Sequence, residues 1–192
     1  MKPNWFIALP VPADQFPPEC LTNLPPGLAR FHPDDLHVTV AFLGPVDASR
    51  ALAAWCAATL LPSPDFRVGI VTARALGAPT RPSAYGLVVD DADGRLARYV
   101  DAHRDTLRLA AGVPAEDRSA LPHVTLARPP RKGGAVIRQR AEQWLATYRP
   151  PAVELNLDRL ALYTRSHDRQ QRRFRRVAEY PARPLSRARG PE

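Results

Sequence analysis

The sequence lacks the residues and segments on which several classes of protein depend. Its 2 cysteines, Cys20 and Cys56, form neither a CxxC pair nor a zinc-ligand spacing. We expect two free thiols, although a single disulfide also fits the count. No segment approaches the ~20 uninterrupted apolar residues of a transmembrane helix. The apolar run near the start is broken by Pro3, Pro10 and Pro12, which argues against a signal peptide. We therefore expect a cytoplasmic protein.

Acidic residues are also scarce relative to basic ones. The chain has 27 Lys and Arg against 19 Asp and Glu, for a formal net charge of +8. Such an excess favours a polyanionic partner, although a basic soluble protein without one would have the same composition. With 192 residues, 45% of them hydrophobic, the chain suits one domain or one domain built of two similar lobes.

The apolar patterns predict a strand–helix–strand–helix–strand order that occurs twice. Strands are predicted at residues 5–9, 37–43, 66–76, 84–90, 122–127, 153–164 and 174–178. Helices are predicted at residues 47–61, 94–111 and 135–148, with a poorer candidate at 14–29 that four prolines interrupt. The last two strands are expected to form a hairpin across a basic loop. Two related halves would bring their middle strands together at one cleft.

Each middle strand opens with His-Val-Thr. The first reads HVTVAF from His37, and the second reads HVTLAR from His123. Because side chains alternate along a strand, His37 and Thr39 share one face, and so do His123 and Thr125. The valine and leucine side chains between them point the other way, into a core. A single HxT is more often a core feature, but two matched copies favour a shared functional site.

Two imidazoles and two hydroxyls suit the cleavage of a phosphodiester. A neutral imidazole takes a proton from water, and a protonated one supplies a proton to the leaving oxygen. An unperturbed histidine titrates near ~6.5, so both forms are accessible at neutral pH and a bell-shaped profile centred there is expected. The threonine hydroxyls would donate to phosphate oxygens. No HxxxH, HxH or nearby carboxylate pair suggests a metal site.

These paired motifs resemble those of the two-histidine (2H) phosphoesterase superfamily. The likeness is strongest to its bacterial RNA 2′,3′-cyclic phosphodiesterase branch, also called the 2′-5′ RNA ligase family, whose motifs extend to HxTxxF and HxTxxR. Here these are His37-x-Thr39-x-x-Phe42 and His123-x-Thr125-x-x-Arg128. The opening WFIALPVP and the later LALYTRS are similar to two further strands of that family. The resemblance spans nearly the whole chain, short of its C-terminal tail.

The resemblance implies an α+β, bilobal fold: two pseudo-twofold-related βαβαβ lobes with antiparallel sheets around a central cleft. It implies that His37 is the general acid for the ribose O3′ and that His123 is the general base for water. Arg128 would contact the phosphate and Phe42 would stack on the terminal base. Both lie five residues after their histidines, so they reach the cleft only if each strand bends, bulges or ends first.

The expected reaction is therefore metal-independent hydrolysis of a terminal 2′,3′-cyclic phosphate to a 2′-phosphomonoester, without a cofactor. The substrates would be RNA with 2′,3′-cyclic phosphate ends or nucleoside 2′,3′-cyclic phosphates, and the protein a monomer without a membrane partner. Two alternatives remain. The same acid and base would serve a 2′-5′ RNA ligase, although water at ~55 M favours hydrolysis. A non-catalytic RNA-binding protein of the same fold is the other.

Further expectations concern the domain bounds, the basic segment and the other histidines. Residues 1–180 are expected to form the single bilobal domain, with HxTx motifs at 37–40 and 123–126, and residues 181–192 a flexible tail. The basic segment 165–176, RSHDRQQRRFRR, is equally compatible with a solvated hairpin loop and with an RNA-backbone contact. His32, His103 and His167 are expected to be non-catalytic.

Overall fold

The apolar segments of the chain form strands of one large antiparallel sheet, with helices packed against it. The computed structural model describes residues 2–130, 134–168 and 172–181. In chain order the strands are β1 (Trp5–Pro10), β2 (Ala29–Arg30), β3 (His37–Gly44), β4 (Phe66–Ala78), β5 (Arg81–Asp90), β6 (His123–Arg128), β7 (Glu154–Leu157), β8 (Leu160–Arg165) and β9 (Phe174–Tyr180). The α-helices are α1 (Glu19–Thr22), α2 (Ala48–Ala58), α3 (Arg95–Ala110) and α4 (Ala135–Thr147). The predicted α+β class is confirmed.

The sheet consists of two matching halves. Its strand order is β7-β4-β5-β6-β3-β1-β8-β9, with β2 paired to β6 outside this path. One half is therefore β3-β1-β8-β9, and the other is β6-β5-β4-β7. They are joined where the two middle strands meet, through the Val38–Val124 pair. This junction brings the two His-Val-Thr segments side by side, as two related halves would require.

The last strand of each predicted series crosses into the other half. β4 follows α2 in the first series but pairs with β5 of the second, over nine residue pairs from Gly69–Asp90 to Ala78–Arg81. β8 lies late in the chain but pairs with β1. Each half of the sheet is therefore built from both parts of the sequence, and the chain connects the two halves by crossing between them twice.

Three boundaries differ from the sequence expectations. The segment 153–164, expected to form one strand, forms two, β7 and β8, which are separated at Asp158–Arg159. β7 lies at one end of the sheet, and β8 lies next to the last strand at the other end. The poor helix at 14–29 is reduced to α1, since the prolines around it remove backbone donors. The helix expected at 47–61 is the shorter α2, Ala48–Ala58; the side chain of Asp47 before it accepts a bond from Lys2 at 2.9 Å and does not cap the helix. The β8–β9 hairpin is confirmed.

The apolar core lies on the face of the sheet that the helices cover. Val38, Val40, Val124 and Leu126 are all at most 1% exposed and pack in one cluster with residues of α2 and α3. The side chains between them therefore emerge on the opposite face, as strand alternation predicts. There a smaller apolar cluster forms around Phe6. The sequence pattern thus leaves one face of the two central strands available for a site.

Several expectations concern features outside this sheet. Cys20 is buried and Cys56 is exposed, and both are free thiols. Among the described residues, no helix is both long and apolar enough to cross a membrane. The expected flexible tail falls, apart from residue 181, on residues 182–192, which lie outside the described part of the chain.

Candidate active site

A matched bulge in each central strand turns the end of its motif toward the cleft. β1 pairs Ile7 with Ala41 and then Ala8 with Thr39, so Val40 is an extra residue. β5 pairs Tyr85 with Ala127 and then Gly86 with Thr125, so Leu126 is the equivalent extra residue. An extra residue reverses the alternation beyond it. The bulges supply the change of face that the sequence analysis required for the fifth residue after each histidine.

All six residues singled out in the sequence line one cleft of about 680 Å³. They are His37, Thr39, Phe42, His123, Thr125 and Arg128. The histidines and threonines come from the alternating parts of β3 and β6, and the other two follow the bulges. Phe42 is 47% exposed, so its ring is available for a planar ligand rather than buried in the core.

The two histidines are held in the same way by their own backbones. Nδ1 of His37 lies 2.6 Å from the carbonyl oxygen of Asp35, and Nδ1 of His123 lies 2.7 Å from that of Leu121. A carbonyl oxygen only accepts, so Nδ1 of each ring carries the proton and donates it. The remaining nitrogen, Nε2, is then the free base of each neutral ring, and becomes an acid when the ring is protonated.

Aromatic rings enclose His37 on its other sides. The Phe6 ring stacks on it with centroids 4.7 Å apart, Phe174 meets it edge-on at 5.5 Å, and Tyr163 lies at 5.4 Å. This burial lowers the pKa of His37 to about 4, against a hydrogen bond to the Asp35 carbonyl that raises it. The positive charges of His123, Arg128 and Arg176 lower it further.

His123 shares this tendency. Burial lowers its pKa, while the bond to the Leu121 carbonyl raises it. The expectation of ordinary histidine pKa values is therefore wrong for the ligand-free protein, since the pKa of His37 is lowered to about 4 and that of His123 is lowered as well. The physical reason is desolvation, which disfavours the charged form and which two short sequence motifs do not reveal.

Arg128 lies in the cleft without a carboxylate partner among the described residues. Its guanidinium carbon lies 5.8 Å from the centre of the Phe31 ring. Arg173, from the residues just before β9, lies over the same ring at 4.8 Å. Burial lowers the pKa of Arg128, and the neighbouring charge of Arg173 lowers it further. Two close cations, neither paired with a carboxylate among the described residues, make this end of the cleft attractive to a phosphate.

Further residues line this cleft. Phe6, Phe31, Phe174 and Asp35 were not singled out in the sequence, and Arg173 belongs to the basic segment considered there as a candidate RNA contact. The Asp35 carboxylate is 1% exposed and accepts bonds from two backbone N–H groups, those of Arg173 at 2.7 Å and Phe174 at 3.3 Å. No sequence signal links Asp35 to these residues, since more than one hundred positions separate the two segments.

The remaining histidines occupy other settings. His32 also lines the cleft, but its Nδ1 accepts the Asp34 backbone N–H at 3.2 Å and caps a short 3₁₀ helix. His103 lies in α3, edge-on to Tyr99 at 4.6 Å. His167 is exposed. Within the described ranges, no group of three or more His, Cys, Asp or Glu side chains is arranged to hold a metal ion.

The basic segment 165–176 is only partly described, because residues 169–171 lie outside the described ranges. Arg172 is paired with the carboxylate of Asp34. Arg176 is paired with Glu179 at 2.7 Å. The arginines of this segment are therefore not equivalent, and some of them already have an anionic partner within the protein.

Comparison with known proteins agrees with this architecture. A family model described as the 2′-5′ RNA ligase superfamily matches residues 17–169. The crystal structure of E. coli LigT complexed with NADP⁺ superposes with a TM-score of 0.64 at 21% identity, covering 93% of this chain and 97% of that one. The LigT complex with 3′-AMP superposes with a TM-score of 0.63 at 21% identity, covering 93% of this chain and 98% of that one.

A third structure, that of a Thermus thermophilus protein designated TT0787, has a TM-score of 0.57 at 19% identity, covering 92% of this chain and 96% of that one. At these identities the likeness to solved structures shows a common fold. No curated protein sequence matches the chain.

Proposed function

Since the chain belongs to the 2′-5′ RNA ligase superfamily of two-histidine phosphoesterases, we propose that it is an RNA 2′,3′-cyclic phosphodiesterase. In this proposal it hydrolyses a terminal 2′,3′-cyclic phosphate to a 2′-phosphomonoester. The observation that carries the proposal is the matched tethering of His37 and His123. Each ring donates Nδ1–H to a carbonyl two residues earlier and so offers Nε2 to the same cleft.

The reaction needs one proton removed and one proton supplied. Neutral His123 takes a proton from water at Nε2 while the water oxygen attacks phosphorus. The P–O3′ bond breaks, and O3′ takes the proton from Nε2 of protonated His37. The products are a 3′-hydroxyl and a 2′-phosphomonoester, and solvent returns the proton from His123 to His37. Each positioned proton transfer typically contributes ~10²–10⁴ in rate.

Three further side chains would bind the phosphate. Arg128 offers two parallel N–H donors to the non-bridging oxygens, on which negative charge increases in the transition state. Thr39 and Thr125 lie on the same strand faces as the histidines and would donate their hydroxyls. Phe42, with its exposed ring, would stack on the terminal base, a contact that tolerates any base.

Bound substrate would also correct the protonation of the acid. The pKa of His37 is lowered by burial and by the positive charges around it. A cyclic phosphate is an anion, and its charge in the cleft opposes the effect of those cations. Binding would therefore raise the pKa of His37 and let it carry the proton that it later donates.

The proposal requires neither a cofactor nor a second chain. Both histidines and Arg128 come from one chain, within a single bilobal domain over residues 1–180, so a monomer would hold the complete site. The two imidazoles would serve as acid and base without a metal ion. Nucleotide ligands in related folds support the substrate class: LigT has been crystallised with 3′-AMP, NADP⁺ and ATP.

Ligation is the second candidate, favoured by the family to which the chain belongs. A ribose 5′-hydroxyl would replace water, and the same two histidines would move the same protons in forming a 2′,5′ linkage. Supplying an RNA with a free 5′-hydroxyl at increasing concentration distinguishes the two reactions. A joined product at the expense of the 2′-phosphomonoester would identify the ligase.

The direct test is incubation with a short RNA ending in 2′,3′-cyclic phosphate, with EDTA present and phosphorus NMR of the product. We expect a 2′-phosphomonoester from the wild type and loss of turnover in His37→Ala and His123→Ala. His103→Ala is the matched control, because His103 lies in α3 and does not line the cleft. Near-normal turnover in either active-site variant, or a requirement for added metal, would refute the mechanism. A 3′-phosphate product would refute the assignment of His37 to O3′.

A further inference from the structure

The cleft contains more positive charge than one cyclic phosphate requires. Among the described residues, the arginines that line it are Arg30, Arg128, Arg165, Arg172 and Arg173. The carboxylate that lines it, that of Asp35, is buried and accepts backbone N–H groups. A cyclic phosphate has a single negative charge, and Arg128 lies on the strand of His123 to meet it. The remaining cations therefore point to additional phosphate.

Arg173 is the cation best placed for this second charge. Arg172 next to it is paired with Asp34. The Arg173 guanidinium has no carboxylate partner among the described residues, and its bond within them is to the Ala29 carbonyl oxygen at 3.3 Å. Its guanidinium carbon lies over the Phe31 ring, 4.8 Å from the centroid, a contact that holds the group but does not neutralise it. Most of its five N–H donors remain available to a ligand.

The backbone of Arg173 is also fixed before any ligand arrives. Its N–H donates to the Asp35 carboxylate at 2.7 Å, and its carbonyl accepts the N–H of Ser166 at 2.9 Å. Little conformational entropy is then lost when the side chain binds an anion. Arg165 lies on the partner strand opposite Phe174, next to Arg173, and also lines the cleft. It adds a second cation at the same place.

Arg128 and Arg173 bring two positive charges to the same end of the cleft. Arg128 and Arg173 lie against the same Phe31 ring, yet their repulsion lowers the pKa of Arg128. Anions at both would relieve this repulsion. The volume of about 680 Å³ lies in the upper part of the range of ~300–1,000 Å³ usual for small-molecule sites, which leaves room beyond a terminal nucleotide.

We propose that Arg173, assisted by Arg165, binds the phosphodiester that joins the terminal nucleotide of the RNA to the one before it. The substrate class is therefore an oligoribonucleotide with a 2′,3′-cyclic phosphate end rather than a nucleoside 2′,3′-cyclic phosphate. The inference rests on the proposed function, because it extends the same cleft by one phosphate. It also separates Arg165 and Arg173 from Arg175 and Arg176 of the same segment, which do not line the cleft.

The test compares three substrates: a nucleoside 2′,3′-cyclic phosphate, a dinucleotide with the same cyclic end, and that dinucleotide with a neutral methylphosphonate linkage. For the wild type we expect kcat/KM to be about 10-fold or more higher for the charged dinucleotide than for the other two, as for one charge-assisted contact. Arg173→Gln, which removes the charge but keeps a polar side chain, should abolish most of this preference. Arg175→Ala is the matched control, since Arg175 is exposed on β9 and does not line the cleft.

Equal losses on all three substrates in Arg173→Gln would overturn the proposal, and so would an unchanged preference or the same loss in Arg175→Ala. The methylphosphonate comparison uses only the wild type, so it decides the question even if a variant is unstable. Binding to His123→Ala separates this inference from the proposed function. If no substrate is turned over by the wild type, the proposed function is wrong. The subsite is still supported if the charged dinucleotide binds more tightly than the neutral one and the slope of its log affinity against log salt concentration is steeper by about 0.7. Equal affinities would refute it.

Discussion

Opening the aromatic enclosure of His37 should raise the pKa of that residue. Phe174 is the ring to remove, because it meets His37 edge-on at 5.5 Å and is itself only half-buried. Phe6, by contrast, is 3% exposed and central to its cluster, so its removal would cost more stability. In Phe174→Ala, water should reach the imidazole and solvate its charged form.

The size of the effect follows from the wild-type value. Burial is the largest cause of the lowering from 6.5 to about 4, a difference that corresponds to about 3 kcal/mol. Phe174 is one of three rings around His37, so its removal should raise the pKa of His37 by about one unit, or ~1.4 kcal/mol. Phe174→Leu keeps an apolar side chain there and should raise that pKa by less.

The same shift has a consequence for stability. The folded pKa of His37 lies below its unfolded value, so the unfolded chain binds more protons between the two values. The contribution of His37 to stability is therefore complete above about pH 6.5 and is lost as the pH falls toward about 4. In Phe174→Ala the lower end of this pH range should rise, because the pKa of His37 in the folded protein rises. Urea unfolding at a series of pH values would measure the change.

Proton NMR of the histidine ring hydrogens gives the pKa of His37 directly. The limb of the kcat/KM profile that reports His37 in the free enzyme should move to higher pH in Phe174→Ala by the same amount. The profile of kcat, which reports the bound complex, should lie at higher pH than that of kcat/KM in the wild type. A wild-type value near 6.5, or no change in Phe174→Ala, would refute the argument from burial.

Three further predictions concern residues around the cleft. Arg128→Lys should lower kcat by about 10-fold or more, because one ammonium replaces two parallel donors. Phe42→Ala should mainly raise KM. Steady-state kinetics separate the two effects, and the reverse pattern would contradict the roles proposed. Gly86→Ala would place a Cβ 2.5 Å from a backbone oxygen of β6, so it should destabilise the protein and lower turnover, while Gly69→Ala, with 4.0 Å to its nearest neighbour, should not. Asp35→Asn should cost ~1–3 kcal/mol in urea unfolding, because an amide offers one acceptor oxygen where the carboxylate offers two; an unchanged midpoint would refute its role as an anchor.

The sequence predicted the parts of the site that local rules control. Strand alternation placed His37 and Thr39 on one face, and the buried valines on the other face bear this out. The matching motif around His123 indicated that two strands share a site. The same rule, applied strictly, would have turned Arg128 into the core. The motif therefore required the strand to bend, bulge or end first, and the structure shows a bulge.

The remaining parts depend on contacts between distant segments. Asp35 and Arg173 are joined across 138 positions by a hydrogen bond from backbone to carboxylate, and neither residue has a local pattern that predicts this. The lowered pKa of His37 arises from rings on β1, β8 and β9. The apolar pattern of 153–164 did not show that this segment forms two strands, because a buried strand in either half of the sheet has the same residue types.

The crossing of β4 and β8 between the halves also determines how this protein could be divided. A fragment that ends after β4 would hold β1 and β3 without β8, and would carry β4 without the strands on either side of it. Such a half could complete its sheet only by exchanging its last strand with a second chain. An enzyme assembled from one repeat would thus be an intertwined dimer with one histidine from each protomer, and the single chain described here is the covalent form of that exchange.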